Sequence, residues 1–194
     1  MLPIVKTIFN HRLFAWLVLA IPAPALVADI IYRERYYAEI MYESGLFSVQ
    51  LLVLALALTP LMRFFKKWEK VRMVLRWLIL RRRAIGVASF SYAALHTFFY
   101  CREVGSLELI WLELGDLPLA VGWLAFVILT VLAATSNMFS VLKLGKNWKP
   151  IQRTAYFAAL FTALHWYLIG QFLNELVVWF IPIAFLQFIR IGRR

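Results

Sequence analysis

Stretches of mostly apolar residues, each long enough to cross a bilayer as a helix, recur along this chain at about 13–32, 46–64, 84–101, 118–141, 152–171 and 174–191. The hydrocarbon core takes about 20 such residues in α-helical form, and lipid obliges a spanning backbone to satisfy its own polar groups. The pattern therefore predicts an all-α integral membrane bundle of six helices, and the 194 residues leave no room for a second, soluble domain. A hydrophobic content of 63% and a mean hydropathy of +0.77 exclude a soluble fold with a polar rind. Pro22 and Pro24 predict a kink in the first span. Function must sit among the helices.

The net charge of +11 does not point to nucleic acid, because the basic residues lie between apolar runs and do not form one basic face. They read as topology signals. Of the 21 Lys and Arg, all but Arg33, Arg35 and Arg102 fall on one side of the predicted bundle, including the loop from Arg63 to Arg83. Short cytoplasmic loops retain Lys and Arg, so both termini are expected in the cytoplasm. Lys6 and Arg12 before the first apolar run read as a retained signal anchor. The segment Phe64 to Leu80 mixes aromatics, leucines and cations, as a helix lying on anionic lipid does, although plain loop charge would also produce it. On the opposite side, Ser106 to Asp116 is apolar but too short to cross, and reads as interfacial, with Trp111 at headgroup level. Cys101 is the single cysteine, so no intrachain disulfide is possible.

There are three histidines. His11 lies near the start of the first span and reads as interfacial. His96 and His165 lie inside apolar helices, where an ionisable group is costly and usually functional. His96 follows Arg83 by the same interval as His165 follows Gln152, and at 1.5 Å per residue both lie roughly 20 Å from the cytoplasmic end. The third and fifth spans run the same way, so both imidazoles sit at one level in the outer half, where one ligand can join them. Two same-level histidines on facing helices suit a six-coordinate haem. Ser89, Ala93 and Ala158 leave room beside the helices, and Phe90, Phe99, Phe161 and Trp166 offer apolar walls. The alternative is that the two histidines only hydrogen-bond hydroxyls and hold helices together. Zinc fits less well, since neither helix offers further ligands at that depth.

The segments RRAIGVASFSYAALHTFFY, from Arg82 to Tyr100, and LGKNWKPIQRTAYFAALFTALHWY, from Leu144 to Tyr167, resemble the ferric reductase-like transmembrane family. Ser44-Gly45, Leu58-Thr59-Pro60-Leu61 and Ala134-Thr135-Ser136 extend the resemblance over roughly residues 44 to 170. The branch most resembled is that of MsrQ (YedZ), haem-binding membrane subunits of periplasmic methionine sulfoxide reductase systems. The resemblance implies a multi-pass inner-membrane protein with one haem b in the outer half, its axial ligands His96 and His165. At Gln152 the chain departs from the branch's W-x3-H pattern, whose histidine is associated with a second, inner haem. Trp148 is kept, and Arg83 cannot replace a neutral imidazole. An FMN or quinone headgroup near Arg82, Arg83, Gln152 and Arg153 is a candidate occupant of that inner position. The expected function is an electron-transfer subunit, reduced by a quinol or a flavin reductase and passing electrons to a periplasmic acceptor or reductase subunit. The competing readings are a ferric-chelate reductase and a haem-free scaffold or assembly protein. The outer carboxylates weigh against anionic chelates, and no paired broken helices suggest a transporter.

Overall fold

The computed structural model describes residues 12–33, 36–170 and 173–192, and its regular structure there is entirely helical. The helices are α1 (Arg12–Ala20), α2 (Pro22–Arg33), α3 (Tyr37–Phe64), α4 (Glu69–Leu80), α5 (Arg82–Val104), α6 (Leu107–Glu113), α7 (Leu117–Ala134), α8 (Met138–Leu144), α9 (Trp148–Arg153), α10 (Ala155–Ile169) and α11 (Leu173–Gly192), with a 3-10 turn at Gly145–Asn147. Lys6, His11, Arg35, Arg193 and Arg194 lie outside the described residues.

Three helices, α3, α5 and α7, are long and apolar enough by themselves to cross a membrane. Of the expected spans the sixth is the single helix α11, the first and fifth are divided, and the fourth, α7, is shorter than expected, each of these changes having a local reason. The first breaks at Ile21, just before Pro22, so the kink that its prolines predict divides it into α1 and α2. The fourth ends at Ala134 and does not run to 141. There Thr135 Oγ1 and Ser136 Oγ donate back to the Val131 and Leu132 carbonyls at 2.7 Å each, and Asn137 accepts from the Ser140 amide at 2.8 Å to cap α8. In the fifth, α9 and α10 are separate, with Thr154 between them. The second is longer than expected: α3 has 28 residues, about 42 Å of helix against a hydrocarbon core of about 30 Å, so Glu39 and Glu43 lie within it and do not bound it.

Two antiparallel pairs build the bundle. Along α3 and α5, Met41 lies opposite His96, Ser48 opposite Ser89, and Thr59 opposite Arg82. Along α7 and α10, Pro118 lies opposite His165, and Thr135 opposite Gln152 on α9. Small buried residues let the first pair approach closely: Ser44 and Ser89 are fully buried, as is Ala158 in α10. Ser48 and Ser89 exchange reciprocal bonds, each hydroxyl donating to the other's carbonyl at 2.9 Å. The main core joins the pairs and α11 through Leu52, Leu56, Leu129, Ala158 and Ile183. Gln187 of α11 donates to the Leu56 carbonyl at 3.1 Å. The short α6 occupies the segment read as interfacial, with its Trp111 side chain exposed. The amphipathic α4 buries Leu75 against α3 and leaves Met73, Val74 and Leu80 uncovered among its cations.

Candidate functional site

Antiparallel pairing brings the middle of α5 and the end of α10 to the same level, and there His96 and His165 face each other with ring centroids 6.5 Å apart and planes at 86°. Both line one cavity of about 300 Å³, whose other walls include Val49, Ala93, Trp123, Phe126 and Trp166. The structure thus brings together the two histidines that the sequence singles out.

Each ring is tied from behind by a backbone carbonyl. His96 Nδ1 lies 2.7 Å from the Met41 oxygen of α3, and His165 Nδ1 lies 2.7 Å from the Pro118 oxygen of α7. A carbonyl can only accept, so Nδ1 carries the proton in each ring and Nε2, at the far edge, keeps its lone pair. Bonding of this kind orients metal-ligating imidazoles and raises their basicity. Among the described residues no three His, Cys, Asp or Glu side chains group as they would around a metal ion held by protein alone. Two opposed, neutral imidazoles suit a metal whose remaining positions come from a macrocycle.

Around this pair several expectations are revised. Ala93 and Trp166 line the cavity, but Ser89 is committed to Ser48, Ala158 to the core, and Phe99 to a buried cluster where it stacks on Tyr37 at 6.2 Å. Phe90 stands behind the wall, stacked on Phe126 at 5.8 Å. Residues that the sequence does not mark as part of the site complete it: Met41 and Pro118 act through their carbonyls, and Gly122, with the Gly45 of the family resemblance, lies against the rings. Tyr42 and Tyr100 also line the cavity, their hydroxyls donating to Glu175 and Glu113. Those two carboxylates are therefore fastened to the bundle.

None of the candidate inner residues lines that cavity. Gln152 donates its amide to Thr135 Oγ1 at 3.0 Å and the Leu132 carbonyl at 3.3 Å, and Trp148 Nε1 donates to the Thr135 carbonyl at 2.9 Å, together closing the C-terminal end of α7. Arg82 reaches Thr59 Oγ1 at 3.4 Å, while Arg83 and Arg153 are exposed.

The fold and the site define a helical membrane protein with two imidazoles facing across one cavity. The chain belongs to the family described as the ferric reductase-like transmembrane component, whose model matches residues 44–163, and it is a multi-pass membrane protein. Over 134 residues, 66% of this chain and 61% of the relative, it is 32% identical to the protein-methionine-sulfoxide reductase heme-binding subunit MsrQ of Bordetella pertussis. The corresponding proteins of Bordetella parapertussis and Bordetella bronchiseptica match it to the same extent. The chain thus spans about three fifths of the length of these relatives. No solved structure matches it.

Proposed function

We propose that this chain is a haem b-containing electron-transfer subunit of the inner membrane, a bundle of six spans with cytoplasmic termini in which His96 and His165 are the axial ligands. The observation that carries the reading is the opposed pair itself. Two imidazoles on one metal, each bonded at about 2 Å, have ring centroids about 6 Å apart, and the observed separation is 6.5 Å. The Nδ1 protons are held by the Met41 and Pro118 carbonyls, which leaves both Nε2 atoms as donors. Apolar and aromatic walls suit a flat macrocycle. Haem bound there would supply a one-electron couple. With His96 and His165 both bound to its iron, haem would keep no open metal position for a substrate, and the chain would hold and relay electrons.

The donor we propose is a quinol or reduced flavin, and the acceptor a periplasmic reductase subunit; the curated relatives, named as heme-binding subunits of a methionine-sulfoxide reductase, support a partner of that kind. Direct reduction of ferric chelates finds less support, since Glu113 and Glu175 give the cavity end carboxylates that repel anionic complexes. The test is a reduced-minus-oxidised visible spectrum with pyridine haemochrome quantification on the detergent-purified chain. About one haem b per chain is expected. A preparation from haem-replete cells with no Soret absorbance would sink the redox reading and leave the scaffold alternative.

Gln152→Ala separates two roles at the inner end. If Gln152 only closes α7, thermal stability falls by about 1 kcal/mol through its lost hydrogen bonds, while haem reduction by quinol or reduced flavin is unchanged. If FMN or quinone sits beside Arg82, Arg83, Gln152 and Arg153, one of those reduction rates falls several-fold at constant haem content. Unchanged rates with both donors would discard the inner site.

A further inference from the structure

The two histidines are seated by the same device, built twice from unrelated segments. In α3 the carbonyl is that of Met41 and the residue one turn on is Gly45; in α7 they are Pro118 and Gly122. The spacing of four follows from helix geometry. A helical carbonyl points along the axis toward the residue four positions ahead, whose amide it accepts, and its second lone pair remains for a side-on donor. A ring that reaches this oxygen from a neighbouring helix must lie over the residue four positions ahead.

Only glycine leaves room for it. A Cβ on Gly45 would stand 2.8 Å from Nδ1 and 3.2 Å from Cε1 of His96, and a Cβ on Gly122 would stand 2.7 Å from Nδ1 and 2.8 Å from Cε1 of His165. Carbon contacts are ordinarily about 3.5–4.0 Å. The atom met first is Nδ1, so the ring cannot escape a methyl group without leaving its carbonyl. Gly86, in the same helix as His96, meets nothing within 4 Å, so this closeness is particular to the two histidine seats.

We propose that Gly45 and Gly122 are positioning residues, which with the Met41 and Pro118 carbonyls form two cradles that fix the plane and tautomer of His96 and His165. The cradles hold the rings at 86° to each other and aim Nε2 of each toward the shared cavity before any metal is bound. Their geometry stands independently of the haem reading; their consequence for a bound haem rests on it.

The test uses the full chain with 15N-labelled histidine, purified from haem-deficient cells, and reads histidine tautomers by NMR. With three histidines in the chain, the spectrum is simple to assign. Wild type is expected to show His96 and His165 as Nδ1–H tautomers. Gly45→Ala is expected to shift His96 to the ordinary Nε2–H form and leave His165 unchanged, Gly122→Ala to do the converse, and Gly86→Ala to change neither. In each variant the unaffected histidine reports that the bundle has folded. Retention of the wild-type tautomers in both cradle variants would overturn the proposal, as would an equal disturbance by Gly86→Ala or loss of both signals in each cradle variant. In haem-loaded protein the near-perpendicular imidazoles are expected to give a strongly anisotropic low-spin ferric EPR signal, which moves toward the rhombic form in the two cradle variants. A wild type that takes up no haem would end the electron-transfer reading, while the tautomers would still decide the cradles.

Discussion

Replacing either His96 or His165 with alanine is expected to lower the haem b recovered per chain by at least about tenfold, equivalent to about 1.4 kcal/mol or more of lost binding. In the proposed site each imidazole would contribute one bond to the iron; no other His, Cys, Asp or Glu joins them in a cluster among the described residues, and the Tyr42 and Tyr100 hydroxyls on the cavity wall are engaged by Glu175 and Glu113. The wall around them is mostly Val49, Ala93, Trp123, Phe126 and similar side chains that cannot ligate. Alanine also opens a space the size of the ring, in front of a carbonyl that then loses its side-on donor. Added imidazole can fill that space and is expected to restore a low-spin spectrum, which an unfolded variant would not regain. His11→Ala is expected to keep wild-type haem content. Full haem retention by either His96→Ala or His165→Ala would remove that residue from the ligand pair.

The parts of this site that the sequence announces are those whose side chains are out of place in lipid. His96 and His165 stand out because an ionisable ring within an apolar run is costly, and their equal offsets from Arg83 and Gln152 place them at one level, where the rings are 6.5 Å apart. The cradles stay hidden because a backbone carbonyl leaves no trace in residue identity: Met41 and Pro118 act through atoms every residue has. Gly45 enters the family resemblance, but its place against His96, like that of Gly122 against His165, becomes legible only once it is known which helix faces which. Helix ends are misread for a similar reason. An apolar run looks continuous through Thr135 and Ser136, yet their hydroxyls bond back to α7 and the Asn137 cap starts a new helix. Conversely, Glu39 and Glu43 look like a boundary, but α3 continues past them because it is longer than the hydrocarbon core.

The remaining large effect is expected at Ser89, and it links the packing of the bundle to the site. Ser89 is fully buried where α5 meets α3, and it exchanges two 2.9 Å hydrogen bonds with Ser48. Leucine there has no space to fill, and overpacking costs about 1–3 kcal/mol, with about 0.6 kcal/mol more for each intramembrane hydrogen bond disturbed. Ser48 follows Met41 by seven residues in α3, and His96 follows Ser89 by seven in α5. Two helical turns therefore separate the serine clasp from the His96 seat on the same face of both helices. Helices forced apart at the clasp must part at the seat as well, so Ser89→Leu is expected to lower both the unfolding temperature and the haem content. Ser89→Ala removes one hydroxyl but keeps the close approach, and is expected to cost about 0.6 kcal/mol with haem content unchanged. Thermal unfolding in detergent beside haem quantification reads both quantities. A Ser89→Leu protein of wild-type stability would show that the α3–α5 contact does not need a small residue there, and one that is destabilised yet fully haem-loaded would show that the clasp and the His96 seat are not rigidly coupled.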